Sequence, residues 1–348
     1  MSELHSGVIS RVYGAFYSVL ALPDLAPEYP GKLRGKLRLK KNTPEFVHFR
    51  NLIMVGDHVE FLLTESGEAL IESVESRRNE ICRASPSEIQ ALGANVDRAF
   101  LVVSLVNPSP RWHFVDRFLA SCHGGGVEAS IVFTKADLLP GEKDEAEIRR
   151  LIQCYTNLGY ETFALDLLKN NPPEEMQKIS SCLKSGVTLL AGNSGTGKST
   201  LLNAIFGREI QKTGILTSTG KGRHTTTNPV MFVHEKTKAL VIDTPGVREW
   251  GVSHLSRREI IDSYPEMLWY AEKCRFRSCE HLPGIQGCAV QEKLQHPETK
   301  DGGPAVTEER MKSLLSILDS LENPAKIRMG DYIKPTGRMR TGKIRPRQ

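Results

Sequence analysis

The sequence predicts a multidomain protein with a small N-terminal β-barrel, a central α/β domain and a mainly helical, metal-holding C-terminal domain. Three observations lead to this prediction. The chain has 348 residues, more than one domain usually contains. Near residue 95, short, turn-rich segments give way to buried apolar runs that alternate with helical patterns, namely Phe100–Val106, Ala129–Phe133, Val187–Ala191 and Ala239–Ile242. Cysteines cluster late in the chain. We place the domains at residues 1–84, 85–254 and 255–324, followed by a basic, flexible tail over residues 325–348.

Composition and charge narrow the class of protein. Hydrophobic residues make up 39% of the chain and charged residues 25%, which excludes a mostly disordered chain. No apolar stretch approaches the roughly 20 residues of a membrane span, and the N-terminus lacks a secretion signal. We therefore expect a soluble, cytoplasmic protein with no membrane partner. The net charge of +5 is uneven, because the tail carries +7 and the remainder −2.

The first eighty or so residues favour a barrel. Five short segments have strand character and are separated by turn residues, with no helical pattern between them. They are Val8–Val12, Phe16–Leu20, Lys32–Lys41, His58–Leu63 and Ala69–Val74. Five short strands in this length predict an OB-fold.

One of these strands is unusually basic. From Lys32 to Lys40 every second residue is Lys or Arg, and the residues between are Leu or Gly. On a strand this alternation turns five cations to solvent and three leucines to the core. Five like charges on one face repel one another, so we favour binding of a nucleic-acid backbone. The alternative is a solvated face whose charges protect a sheet edge.

The central region contains a phosphate-binding loop. Gly192-Asn193-Ser194-Gly195-Thr196-Gly197-Lys198-Ser199 follows the apolar run Val187–Ala191 and precedes a helical run that starts at Thr200. The glycines let backbone N–H groups converge on phosphates at a helix N-terminus. We expect Lys198 to reach the β- and γ-phosphates and the Ser199 hydroxyl to ligate Mg²⁺.

Two further segments fit the γ-phosphate and the magnesium ion. Asp243 ends an apolar strand and is followed by Thr244-Pro245-Gly246, so the carboxylate can hold Mg²⁺ and the Gly246 N–H can meet the γ-phosphate. The stretch Gly220–Thr227 includes three threonines, and one of them can complete the magnesium shell. Thr225 and Thr226 are among the candidates. An ordinary surface loop is the other interpretation of this stretch.

A base-recognition motif precedes the phosphate loop. Thr134-Lys135-Ala136-Asp137 ends a buried strand. The Asp137 carboxylate can accept hydrogen bonds from guanine N1–H and the 2-amino group, whereas adenine offers neither, and the stem of Lys135 can cover the base. In ordinary GTPases this motif follows the phosphate loop. The order here indicates a circular permutation, which keeps the ligand face and moves the chain ends to surface loops.

The late cysteines suit a metal. Cys274, Cys279, His281 and Cys288 supply three thiols and one imidazole within fifteen residues, a set that favours one structural, tetrahedral Zn²⁺. Reduced cysteines near a helix end are the alternative. The other cysteines are scattered and are expected to be small apolar side chains.

With these motifs in this order, the chain resembles the circularly permuted ribosome small-subunit-dependent GTPase A family over nearly its whole length. The resemblance also includes Asn95-Val96-Asp97 and Gly222–Thr227. It implies a monomeric GTPase with GTP or GDP, Mg²⁺ and one Zn²⁺ that binds the 30S subunit and 16S rRNA in its GTP form. It also implies that the subunit stimulates hydrolysis, which permits release.

Two departures from the family pattern stand out. Six residues separate His281 from Cys288, where the family has five, and Thr162–Asp166 replaces the usual Ser-Ala-type guanine loop.

Hydrolysis needs charge neutralisation and an oriented water. Val247 follows Gly246, where many GTPases have glutamine, so we expect slow intrinsic turnover. His224 is the nearest substitute for orienting the water.

Two other functions compete with a ribosome-stimulated GTPase. One is a nucleotide-gated RNA-binding module whose hydrolysis is incidental, and the other is a phosphate-loop ATPase or kinase. Substitution of Asp137 by Asn distinguishes the ATPase or kinase from a guanine-specific GTPase, because it would leave the nucleotide preference of an ATPase or kinase unchanged.

Overall fold

The computed structural model describes residues 3–35, 53–85, 88–139, 142–166, 173–183, 185–207, 228–299 and 301–322. Several sequence predictions lie outside these ranges: Lys36, Arg38 and Lys40 of the basic strand, the stretch Gly220–Thr227 with His224, Thr225 and Thr226, and the basic tail. Within the described ranges, none of the helices combines the length and apolar character that a membrane span requires.

The N-terminal part is a closed five-stranded barrel. Its strands are β1 (Leu4–Tyr13), β2 (Phe16–Ala21), β3 (Glu28–Leu33), β4 (His58–Leu63) and β5 (Ala69–Val74). They follow the order β1-β2-β3-β5-β4, and β4 pairs back with β1 to close the barrel. Alternate side chains fill the interior, with Val19, Phe61 and Ile71 fully buried. The predicted barrel is confirmed.

The third strand differs from its prediction. It begins at Glu28 and ends at Leu33, so Arg34 and Gly35 lie beyond it. The position of β3 is set by its pairing with β2 and its parallel pairing with β5 in the closed barrel. Pro30 and Gly31 are unfavourable strand residues, so the sequence pattern does not indicate a strand there.

The described cations of this segment have acidic partners. Lys32 Nζ lies 2.8 Å from Glu68 Oε2, and Arg34 forms an ion pair with Glu72. Charge repulsion between these two cations is therefore offset within the barrel, and it does not by itself require a nucleic acid.

A short connection joins the barrel to the central sheet. It contains a hairpin of β6 (Glu80–Ala84) and β7 (Ile89–Ala94), followed by Asn95-Val96-Asp97. The Asn95 Nδ2 donates to the Gly56 carbonyl of the barrel at 2.9 Å, and the Asp97 carboxylate accepts from the Val187 N–H at 2.7 Å. These three residues therefore tie the barrel to the strand that leads into the phosphate loop.

The central sheet has six strands with helices around it. The strands are β8 (Arg98–Ser104), β9 (Glu128–Thr134), β10 (Glu161–Leu165), β11 (Val187–Gly192), β12 (Val230–Val233) and β13 (Leu240–Asp243). The helices are α1 (Trp112–Gly124), α2 (Glu142–Asn157), α3 (Pro173–Cys182) and α4 (Lys198–Phe206). The order is β10-β9-β8-β11-β13-β12, with all pairs parallel except β12 with β13.

The sequence predicted the four inner strands of this sheet and missed β10 and β12. β10 lies at the end of the sheet order and mixes polar with apolar residues, whereas β12 is a short apolar run of four residues, Val230–Val233. β12 also pairs with β1 through Arg11 and Val230, so the central sheet continues into the barrel.

The C-terminal part is helical, as predicted. Its helices are α5 (Arg257–Asp262), α6 (Pro265–Ala271), α7 (Ala289–Gln295) and α8 (Glu308–Glu322). A capping box of Ser256 and Glu259 starts α5. Both α5 and α8 pack on α1, which joins this part to the central domain.

The contact between α8 and the central domain contains buried charge. Arg310 is 4% exposed and forms ion pairs with Asp116 of α1 and with Glu266 of α6, whose carboxylate accepts at 2.6 and 3.2 Å. The Tyr155 hydroxyl donates to Asp116 at 2.8 Å, and the Arg310 guanidinium lies 4.2 Å from the Tyr264 ring centre. Burial lowers the pKa of Arg310, but the two carboxylates outweigh it and hold that pKa well above its ordinary value.

Candidate nucleotide site and metal centre

The phosphate loop has the conformation that its glycines allow. Gly192 has a φ of +154°, and a Cβ there would lie 2.4 Å from the Val102 carbonyl oxygen. Gly197 has a φ of +94° and precedes the first residue of α4. The loop therefore leads directly into a helix N-terminus, whose free N–H groups and dipole favour an anion.

Hydrogen bonds join the phosphate loop to the base-recognition motif. The buried Thr134 hydroxyl donates to the Thr196 carbonyl at 2.7 Å, and the Lys135 ammonium donates to the Gly195 carbonyl at 2.9 Å. Thr196 also donates from its hydroxyl to the Asn193 carbonyl at 2.9 Å, which closes the loop on itself. The two motifs, some sixty residues apart in sequence, thus form one rigid edge.

Asp137 follows that edge and lies at the protein surface. Lys135 adopts a left-handed conformation with φ of +61°, and a short 3₁₀ turn over Ala136–Leu138 follows. The Asp137 side chain is exposed, so its carboxylate is accessible to a base. The register pairs Leu165 with Thr134, which brings the chain after β10 beside the motif; residues 167–172 lie outside the described ranges.

Lys198 is held in an unusual electrostatic environment. Its side chain is only 8% exposed, and burial lowers its pKa, while the negative charge of Asp243 acts in the opposite direction. A buried ammonium next to one carboxylate is suited to a polyanionic ligand that supplies more negative charge. Ser199 follows on the same helical turn, and a hydroxyl oxygen such as its own and a carboxylate oxygen such as that of Asp243 are ligand types that suit Mg²⁺.

The Asp243–Gly246 loop contacts the phosphate loop. Thr244 is bound to the Leu190 carbonyl through its N–H at 3.0 Å and its hydroxyl at 2.9 Å. A Cβ on Gly246 would lie 3.0 Å from Ser194 Cα, so only glycine fits this approach comfortably. The Val247 side chain is buried in the core, and its N–H donates to the Gly192 carbonyl at 3.3 Å.

The structure adds a loop that the sequence did not single out. Residues 105–111 connect β8 to α1 at the carboxyl edge of the parallel strands, where ligands of such sheets bind. The Asn107 carbonyl accepts a hydrogen bond from Lys135 Nζ, and Arg111 Nη1 donates to the Arg248 carbonyl at 3.3 Å. This loop has no recognisable motif, so only its position after a parallel strand could have identified it from the sequence as part of the site.

The four metal-ligand candidates converge in the C-terminal part. One donor atom from each of Cys274, Cys279, His281 and Cys288 lies within 4.8 Å of all the others. His281 Nδ1 is 3.6 Å from Cys274 Sγ and 3.5 Å from Cys288 Sγ. Tetrahedral Zn–S bonds of about 2.3 Å and Zn–N bonds of about 2.0 Å place donor atoms roughly 3.5–3.8 Å apart, so the set fits zinc.

Neighbouring groups orient these donors. The Ala289 N–H donates to Cys274 Sγ at 3.3 Å, and the Gln291 side chain donates to the His281 carbonyl at 2.7 Å. Burial lowers the pKa of His281, which keeps the imidazole neutral as a ligand must be. The extra residue before Cys288 is accommodated by Gly284 and Gly287, which have φ of +85° and +74°.

Comparison with known proteins agrees with this architecture. The family model described as RsgA GTPase matches residues 74–253. The chain is 34% identical to the small ribosomal subunit biogenesis GTPase RsgA of Phocaeicola vulgatus and 33% identical to that of Bacteroides fragilis. Each alignment covers 91% of this chain and 97% of the relative.

Solved structures agree with the fold. The crystal structure of YjeQ from Thermotoga maritima is 26% identical and superposes with a TM-score of 0.68 over 92% of this chain and 99% of that chain. YloQ, described as a circularly permuted GTPase, is 25% identical with a TM-score of 0.65, over 92% of this chain and 96% of its own. The permuted order of the base motif and the phosphate loop agrees with that description. On the sequence match, the site geometry and the fold together, this chain belongs to the RsgA GTPase family.

Proposed function

We propose that this GTPase is a late-stage assembly factor of the small ribosomal subunit. It binds the 30S subunit and 16S rRNA in its GTP form and leaves after hydrolysis. The observation that carries the proposal is the rigid edge formed by the Thr134–Thr196 and Lys135–Gly195 hydrogen bonds, which supports guanine and phosphate recognition at one site. The name of its relatives, small ribosomal subunit biogenesis GTPase, supports the partner.

The nucleotide contacts follow from this edge. The phosphates bind to Gly192–Thr200. The Asp137 carboxylate accepts hydrogen bonds from guanine N1–H and the 2-amino group, and the stem of Lys135 covers the base. Thr225 and Thr226, which lie outside the described ranges, are our candidates to complete the magnesium shell. Bound Mg²⁺ would be held by Ser199 and Asp243 and would neutralise phosphate charge.

The chain's own groups then assist hydrolysis. Lys198 stabilises the charge that spreads over the transferred phosphoryl group, and its low exposure strengthens this interaction. The Gly246 N–H meets the γ-phosphate. Because Val247 is packed in the core and cannot orient water, intrinsic turnover is slow and the subunit stimulates it; His224 is our candidate for orienting the water.

The remaining parts serve binding and stability. The zinc holds the C-terminal part together through Cys274, Cys279, His281 and Cys288, and the barrel and the basic tail face RNA. The protein acts in the cytoplasm as a monomer.

The decisive measurement is GTP hydrolysis without ribosomes and with 30S, 50S or 70S particles. We expect stimulation by 30S particles above all others, and no stimulation by 30S would refute the proposal. A Lys198→Ala variant separates enzyme from nucleotide-gated module: it should lose hydrolysis and fail to complement a strain that lacks the factor. Full complementation by this variant would favour the module.

A further inference from the structure

The segment that leaves the Asp243–Gly246 loop is held at every residue. The bonds that hold it come from the phosphate loop, from α1, from the loop before α1 and from β6. They are Val247 N–H to the Gly192 carbonyl (3.3 Å), Arg111 to the Arg248 carbonyl (3.3 Å), Arg83 to the Glu249 carbonyl (3.4 Å), the Trp250 indole to Ser121 Oγ (2.8 Å) and Ala84 N–H to the Gly251 carbonyl (2.8 Å). We call Val247–Gly251 the exit segment.

Two of these bonds use guanidinium groups on successive carbonyls. Arg111 approaches from the loop before α1, and Arg83 approaches from β6. Arg83 is itself oriented by Gln90, whose side-chain oxygen accepts from Arg83 Nε at 2.8 Å. A guanidinium offers several donors in a fixed plane, so it can hold a loop carbonyl that has no strand partner.

The guanidinium contacts lie close in sequence to Gly246, the last residue of the Asp243–Gly246 loop. Arg248 is two residues after Gly246, and two residues span at most about 7 Å of chain. Gly246 in turn packs against Ser194 of the phosphate loop so tightly that a Cβ would lie 3.0 Å from Ser194 Cα. Displacement of the Arg248 carbonyl is therefore transmitted to the Gly246 N–H.

Arg111 also links the exit segment to the base-recognition motif. It ends the loop whose Asn107 carbonyl accepts from Lys135, and Lys135 bonds the Gly195 carbonyl as well. Base recognition, phosphate binding and the exit segment are thus connected through side-chain bonds to carbonyl groups.

We propose that Arg83 and Arg111 are positioning residues for GTP hydrolysis. They clamp the exit segment from two sides and fix the Gly246 N–H against the phosphate loop. They do not touch the reacting atoms, and they leave ground-state GDP binding to the phosphate loop and the base motif. This inference rests on GTP hydrolysis at the proposed site and is independent of the ribosomal partner.

The test compares Arg111→Gln, Arg83→Gln and the double variant in the full-length protein without ribosomes. Single-turnover GTP hydrolysis and the affinity for a fluorescent GDP analogue are measured on each. Between about ten- and a hundredfold slower hydrolysis is expected for the double variant, because a small misplacement has that effect, with GDP affinity within about twofold of the unaltered protein. Arg111→Lys retains a donor and should recover much of the rate.

The matched control is Arg150→Gln, which removes an exposed arginine whose partner Glu309 is also exposed. It should hydrolyse GTP at the unaltered rate. Unchanged hydrolysis in the double variant overturns the inference, and so does a loss of GDP affinity as large as the loss of rate, since that would indicate general disruption. Failure of the unaltered protein to hydrolyse GTP even when 30S particles are added would instead refute the proposed function.

Discussion

Replacing Arg310 by Met tests the buried charge between α8 and the central domain. The variant keeps most of the side-chain volume but leaves Asp116 and Glu266, which are 2% and 0% exposed, without their counter-charge. Removing one partner of a buried ion pair costs about 3–5 kcal/mol, a large part of the roughly 5–15 kcal/mol that stabilises a typical domain. We therefore expect a clear fall in the urea midpoint and the melting temperature.

Two further variants check the reasoning. Arg150→Met removes an exposed pair with Glu309, which is worth about 0–1 kcal/mol, and should leave the midpoint nearly unchanged. A triple variant that adds Asp116→Asn and Glu266→Gln to Arg310→Met removes the unpaired charge and should recover most of the stability. If Arg310→Met unfolds at the same urea concentration as the unaltered protein, the buried charge is not coupled to folding and the reasoning is wrong.

Three other predictions concern the two candidate sites. Asp137→Asn should lose GTP affinity and gain affinity for xanthosine nucleotides, measured by nucleotide titration; unchanged GTP affinity would argue against the guanine assignment. Thr134→Val leaves the buried Thr196 carbonyl without its hydrogen-bond donor, so nucleotide affinity and stability should both fall. The expected loss of stability in denaturant titration is about 1–3 kcal/mol. No change in either quantity would show that this hydrogen bond does not couple the base-recognition motif to the phosphate loop. Cys279→Ser should reduce bound zinc from one equivalent to well below one in elemental analysis and lower the melting temperature, and retention of a full equivalent would contradict the four-ligand set.

The parts of this protein that could be predicted from sequence are those whose chemistry is local. The phosphate loop needs its glycines, lysine and serine next to one another, and the inner strands are continuous apolar runs because helices cover both faces. The zinc candidates were found for the same reason, since their spacing is short and their residue types are rare.

The parts that could not be predicted depend on distant contacts. β10 mixes polar and apolar residues, and β12, although apolar, pairs with β1 from the other end of the chain. The Arg310–Asp116 pair spans 194 residues, and nothing near either residue indicates the other. Arg111 could not be predicted for the same reason, because the role that we propose for it depends on contact between the loop after β8 and the exit segment. The ion pairs of Lys32 and Arg34 could not be predicted either, because their partner carboxylates, Glu68 and Glu72, lie on a different part of the barrel.

The pairing of β1 with β12 has a consequence for how the chain can be divided. β12 is bonded to β13 on one side and to barrel strand β1 on the other, and Asn228 donates to the Val12 carbonyl at the same junction. Cutting the chain between barrel and nucleotide domain would expose the free edge of β12, and an uncovered edge invites association with other strands. The barrel therefore also covers the edge of β12. We expect a separately expressed nucleotide domain to aggregate unless a charged residue or a proline blocks that edge.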